Sequence, residues 1–294
     1  DYMYAKEIDI EEIPKSELPE VNDLSDPKTW EKISDYYVEI IPNNATVPIR
    51  TPNIEDTTKV ILANVEDSTQ ALTYHYMDII GAQLLDNAEN YEIINAYKVV
   101  KKGEQNLQPA KIGDVKIKPY DNVMAQGIQA RKEIQIEQGF KDSTTLSLKI
   151  FSNALYGISA ERIVKEINGE KHDFASENGF YNPHVASTIT AGGRLMLSYG
   201  EKICKDNNHE LYYCDTDSLI VHKDIFDEIQ NKFKNLNPYQ NKVGELEVLE
   251  NEKGEPANLS AVGVKKYVFY GNSGEVLEVK EHGLGNYDNL RPTA

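Results

Sequence analysis

The stretch Leu211-Tyr-Tyr-Cys-Asp-Thr-Asp-Ser-Leu-Ile-Val221 constrains this chain more than any other. An apolar run, Leu211 to Cys214, meets a polar tip of Asp215, Thr216, Asp217 and Ser218, and a second apolar run, Leu219 to Val221, follows at once. Two short β-favourable segments around a polar tip containing Asp and Ser read as a hairpin. Side chains two apart on extended backbone lean to the same side, so Asp215 and Asp217 are expected to converge. Two adjacent carboxylates repel, and burying either without a partner is costly. A hard cation relieves both problems, since Mg²⁺ takes one or two carboxylates together with substrate phosphates. The plainer reading is a solvated Asp-rich turn. The flanking apolar strands weigh against it, because they set the tip on a buried sheet.

Composition bounds the partners. The 48 acidic and 31 basic residues give a net charge of −17, which lowers the expectation of nucleic-acid binding unless a basic groove sits on an acidic body. Cys204 and Cys214 are the only cysteines, so neither a disulfide framework nor a zinc ribbon can be built from this sequence. No apolar run approaches the length of a membrane span, and the first residues do not read as a signal peptide, so the expectation is an intracellular chain that is not secreted. The abrupt start without Met suggests a fragment.

Local signals give a mixed series of elements. Residues 13–29, with Pro14, Pro19 and Pro27 amid charge, read as a loop, and Tyr36 to Ile41 as a strand. The next stretch, with Pro48 and Pro52, reads as extended and irregular. A helix is expected from Asp67-Ser68 to about Leu85, with Leu72, Tyr76, Ile79 and Ile80 at helical spacing, and a strand from Tyr91 to Val100. The polar segment from Lys101 to Pro119 is either a loop or an inserted hairpin. Helices over about 120–138 and 143–156, broken at Gly139, form an antiparallel helical hairpin. Glu161 to Gly179 reads as a surface excursion. Asn182-Pro183 opens a helix running to about Lys205, in which Gly192, Gly193 and Gly200 mark close packing. A helix near 224–235 and strands near 245–250, 262–270 and 275–280 complete the chain. Strands and helices mix without strict βαβ alternation, which argues α+β.

In the second helix of the hairpin, Lys149, Asn153 and Tyr156 fall at i, i+4 and i+7 and share one face, while Leu148, Phe151 and Leu155 make a core face. The polar stripe is either a solvated face or a set of an ammonium, an amide and a flat ring suited to a nucleotide. Read as Lys149-x-x-x-Asn-Ala-x-Tyr-Gly157, it resembles the fingers motif of family B DNA polymerases, which usually have Ser where Ala154 stands. Tyr213-Cys-Asp-Thr-Asp-Ser218 is similar to the same family's Tyr-x-Asp-Thr-Asp-Ser signature. Ala130-Arg131-Lys132 resembles the partner fingers helix, although Gln135 stands where the family often has a basic residue. Thr190-Ala-Gly-Gly-Arg194 resembles the helix between the two motifs, and Lys265-Lys266-Tyr267 the Lys-x-Tyr element along the primer strand. These elements lie in family order over roughly residues 120–270. Tyr2-Met-Tyr4-Ala5 resembles the end of the family's first palm motif. Its metal-binding Asp would fall before residue 1, and Asp1 does not match the spacing, so the chain is expected to begin inside that motif. Asp9-Ile-Glu11 has the form of a proofreading motif and is read as a decoy.

The resemblance implies a right-hand architecture: an antiparallel palm sheet with packed helices, an inserted helical fingers hairpin and a partial thumb. The segments would be palm over 1–118, fingers over 119–157, palm again over 158–270 and the start of a thumb over 271–294. The implied activity is DNA-directed DNA polymerisation, with a primer 3′-hydroxyl attacking the α-phosphate of a dNTP, and the implied cofactor is a pair of Mg²⁺ ions, with Mn²⁺ as an alternative. Asp217 and Asp215 would be catalytic and hold the metal. Lys149, Asn153, Tyr156, Arg131 and Tyr4 would bind the nucleotide, and Gly157, Lys265, Tyr267 and Arg194 would contact primer-template DNA. A terminal protein as primer belongs to the protein-primed viral and plasmid branch that the resemblance suggests. The alternatives are a non-catalytic DNA-binding remnant lacking the first carboxylate, and an acidic metal-binding structural domain unrelated to DNA.

Overall fold

The computed structural model describes residues 5–50, 60–65, 71–85, 90–119, 121–139, 142–176, 179–216, 218–240, 243, 257–263 and 265–281. The chain is α+β, every paired strand is antiparallel among the described residues, and it divides into two compact units. One unit comprises Asp1–Tyr199 with Lys232–Gly244, the other Gly200–Asn231 with Glu245–Ala294. This division by compactness cuts across the four segments expected from the sequence.

The first unit runs β1 (Ala5–Ile13), α1 (Pro27–Ile33), β2 (Tyr36–Pro42), β3 (Ala45–Arg50), β4 (Val60–Val65), β5 (Leu72–His75), α2 (Tyr76–Leu85), β6 (Tyr91–Glu104), β7 (Ala110–Ile112), β8 (Val115–Ile117), α3 (Val123–Gln138), α4 (Ser143–Ser159), β9 (Arg162–Ile167), β10 (Glu170–Ala175) and most of α5 (Pro183–Asp206). Its main sheet has the order β1-β6-β2-β5. In β2 the strand period buries Val38 and Ile40 completely on one face. Met77, Ile79 and Ile80 of α2 and Ala191 and Leu195 of α5 join the same apolar cluster. Completely burying side chains of this size contributes roughly 1.5–3 kcal/mol each.

The second unit carries the end of α5, β11 (Leu211–Asp215), β12 (Ser218–Val221), most of α6 (Phe226–Phe233) and the sheet β13 (Asn258–Gly263), β14 (Lys266–Tyr270), β15 (Val276–Glu281). Of the three glycines in α5, Gly200 is the one whose close packing is tight: a Cβ there would collide with Leu219 of β12. At Gly193 a Cβ would meet open space.

Several expectations are corrected. Residues 13–29 are not all loop: a 3₁₀ turn spans Lys15–Glu17, and α1 starts at Pro27, where Asp26 caps it by accepting the Lys28 N–H at 3.0 Å. Of the helix expected from residue 67, residues 67–70 lie outside the described residues; Leu72 to His75 extend the sheet by pairing with β2, and the helix α2 spans Tyr76–Leu85. β6 runs on to Glu104 because β1 pairs along it, and β7–β8 form the inserted hairpin, turning at Gly113. Glu161 to Gly179 contains the β9–β10 hairpin, whose turn residues Asn168 and Gly169 have φ of 55° and 84°, the paired positive values that a tight two-residue turn requires. The single strand expected over 262–270 is two, divided at Lys265, which has φ 56°. The strand expected over 245–250 lies outside the described residues.

Candidate functional site

The Asp-Thr-Asp segment is carried by a two-stranded hairpin, but Thr216 does not continue the extended backbone on which Asp215 and Asp217 are expected to converge. β11 and β12 pair from Leu211↔Val221 to Asp215↔Ser218. Thr216 has φ 55°, an uncommon conformation for a β-branched side chain. Its Oγ1 donates to Asp215 Oδ1 at 2.9 Å, and Ser218 Oγ donates to the Asp215 carbonyl at 3.0 Å. Asp217, the expected principal metal ligand, lies outside the described residues, as does Tyr4.

Tyr213 and Asp215 alternate on β11 and both meet the segment that opens β14. The Lys265 N–H donates to Tyr213 Oη at 2.5 Å across 52 residues of sequence. Lys265 Nζ stands 3.5 Å from Asp215 Oδ2, both side chains being partly exposed. The Tyr213 ring packs edge-on against Tyr267 with centroids 5.2 Å apart. Burial raises the Tyr267 phenol above its ordinary range, with smaller contributions from Glu278, Tyr213 and Asp215. Among the described residues no group of three or more His, Cys, Asp or Glu is placed to hold a metal. The donor at the tip is nonetheless a carboxylate with a cation already against it, and hard oxygen donors of this kind suit magnesium. Tyr213 went unremarked as a site residue in the sequence; its two-residue spacing from Asp215 was the available signal.

The first unit holds the other expected residues. α3 and α4 form the helical hairpin, with α4 capped by Asp142, whose carboxylate accepts from the N–H groups of Thr144 and Thr145. Leu148 is completely buried, Phe151 and Leu155 are half-buried, and Ser152 joins the seam by donating to the Leu148 carbonyl. Gly127 of α3 lets the helices close up: a Cβ there would stand 3.3 Å from Ser152 Oγ. Lys149, Asn153, Tyr156 and Gly157 all lie on the exposed side of α4. Arg131 of α3 is half-buried, and its Nε is buried with no hydrogen-bond partner among the described residues. Gln129 clamps the segment beside it, donating to the Gln240 carbonyl at 3.1 Å and accepting the Gln240 N–H at 2.9 Å. The neighbouring Tyr239 phenol is raised by burial and lowered by the Arg131 charge.

Arg194 has a different setting from the one expected. Its Nε and Nη2 donate to the two oxygens of buried Asp78 at 2.7 and 3.0 Å, tying α5 to α2. Burial raises the Asp78 carboxyl, and Arg194 opposes that shift. This edge of the guanidinium is structural, and any DNA contact would have to use the remainder.

Set against protein-family models, curated proteins and solved structures, the chain gives no match. Among the described residues no helix is long and apolar enough to cross a membrane.

Proposed function

We propose that this chain is palm and fingers of a template-directed DNA polymerase resembling family B, joining a dNTP to a primer 3′-hydroxyl with release of pyrophosphate. The observation that carries this reading is the meeting of two sequence motifs. The Lys-x-Tyr segment and the Asp-Thr-Asp hairpin lie far apart in the chain, yet Lys265 contacts both Tyr213 and Asp215 while Tyr267 packs on Tyr213. The Lys-x-Tyr element is weak alone, whereas the Tyr-x-Asp-Thr-Asp-Ser match is specific over six residues. An unrelated acidic turn gives no reason for this pairing.

Asp215 and Asp217 would hold magnesium, which when bound supplies positive charge to the attacking and leaving oxygens. Lys149 and Arg131 would neutralise the triphosphate through their positive charge. Asn153 and Tyr156, on the same exposed face as Lys149, would orient the nucleotide through an amide and a flat ring. Lys265 and Tyr267 would lie along the primer strand, and Gly157 would let the DNA backbone approach α4 closely.

Primer extension with Mg²⁺ or Mn²⁺ tests the reading. The expected result is extension by this chain that disappears in Asp217→Ala while primer-template binding persists. Extension undiminished in Asp217→Ala would remove the tip from catalysis. Binding without extension would favour a non-catalytic remnant.

A further inference from the structure

Two of the cation–carboxylate pairs among the described residues are of opposite character. Asp78–Arg194 is a two-pronged pair with a buried carboxylate, and its geometry suits a permanent brace. Asp215–Lys265 is a single contact at 3.5 Å between side chains that are 25% and 42% exposed. Its backbone is fixed, because the Lys265 N–H is held by Tyr213 Oη and the residue sits at φ 56° between two strands. Its ammonium, on a flexible four-carbon stem with one point of contact, is free to leave. Both oxygens of Asp215 are therefore engaged, Oδ1 by the Thr216 hydroxyl and Oδ2 by Lys265.

We infer that Lys265 is an internal counter-ion of the Asp-Thr-Asp tip, which a divalent cation must displace from Asp215 in order to bind there. This rests on the metal-binding reading of the tip given above. The ammonium keeps the Asp215 charge compensated before the cation arrives, and it opposes the cation by like-charge repulsion and by competition for Oδ2. On displacement it becomes available to a phosphate of the primer strand. Cation binding and DNA binding are then linked, each favouring the other by the same factor. Lysine is suited to this exchange, whereas a two-pronged arginine would hold the carboxylate too firmly to be displaced.

The test is Mn²⁺ binding to the full chain, followed by loss of the free-ion electron paramagnetic resonance signal, in wild type, Lys265→Gln, Lys265→Arg and Asp215→Asn. Removing a partly screened charge should tighten Mn²⁺ about three- to tenfold in Lys265→Gln. Lys265→Arg, which keeps the charge, should bind no tighter than wild type, and Asp215→Asn should lose the site. In wild type itself, Mg²⁺ should shift the nuclear magnetic resonance signal of the Lys265 ε-methylene group along the binding curve, a readout independent of whether any variant folds. Asp215-dependent binding that is no tighter in a folded Lys265→Gln, or a Lys265 signal that does not move, would overturn the counter-ion role and leave the metal reading intact. Binding that ignores Asp215→Asn would overturn both.

Discussion

Gly157 stands in α4 where nothing in the described structure requires a glycine: its φ is not positive, and a Cβ would meet nothing within 4 Å. A helical glycine costs roughly 1 kcal/mol relative to alanine. Gly127, by contrast, has an internal reason, because Phe151 and Ser152 press against it. If Gly157 is kept open for a DNA backbone, Gly157→Ala should raise stability to urea by about 0.5–1 kcal/mol while weakening primer-template binding. A variant that is more stable and binds DNA as wild type does would take Gly157 out of the interface. At this scale the sequence was informative where a residue's neighbours in the chain set its conformation, as with Asp215 at the end of a β-favourable run. It could not show what Tyr213 and Asp78 meet, since their partners are 52 and 116 residues away.

Among the elements, the α2–α5 contact depends on the Asp78–Arg194 pair. Breaking such a pair strands a charge away from water, whereas replacing both members by apolar groups is often neutral or better. Arg194→Met should therefore cost about 3–5 kcal/mol in urea unfolding, and the double variant Arg194→Met/Asp78→Leu should recover most of it. Equal losses in the single and double variants would mean that packing, not charge, sets the cost. The elements also separate legible from illegible signals. Asn182-Pro183 was read correctly as a helix start, and its cap is in place, with Asn182 Oδ1 accepting the Val185 N–H. Asp26-Pro27 carries the same chemistry and was read as loop because the surrounding prolines and charges dominated the window. Asn168-Gly169 is a strong hairpin signal. It was masked by strands whose charged residues alternate poorly with apolar ones. An N-cap signal at Asp67-Ser68 together with helical spacing puts Leu72 to His75 in a helix. Pairing with β2, a tertiary constraint, makes them a strand. The order of the candidate motifs was visible in the sequence; the contact between Lys265 and Asp215 was not, since it depends on a strand break at a lysine with positive φ.

For the molecule as a whole, acid brings two opposing effects. The net charge of −17 repels itself, so protonation of carboxylates should relieve strain in the compact state. Against this stands the buried pair His75 and His184. His75 Nδ1 accepts the Met77 N–H at 3.2 Å, and Nε2–H donates to the Ser34 carbonyl at 3.1 Å, an arrangement that only the neutral ring satisfies. Burial first, then the neighbouring His184, pushes His75 down to about 3, and burial pushes His184 down to about 4 against the pull of Asp35. Both lie below the ordinary 6.5 of an unfolded histidine, so as pH falls through 6.5 the unfolded chain takes up protons that the folded chain refuses. Stability is thus complete above about pH 6.5, declines below it, and stops declining on this account near 4 for His184 and near 3 for His75. Each group contributes a slope of up to about 1.4 kcal/mol per pH unit. Most surface carboxylates titrate near pH 4, below the upper part of this window, so the histidines dominate between pH 6.5 and 5. The urea midpoint should therefore drop steadily from pH 7 to pH 5, with unfolding taking up close to about two protons at the lower end. A midpoint that stays level over that range would mean that His75 and His184 are already charged, or reach water, in the folded protein.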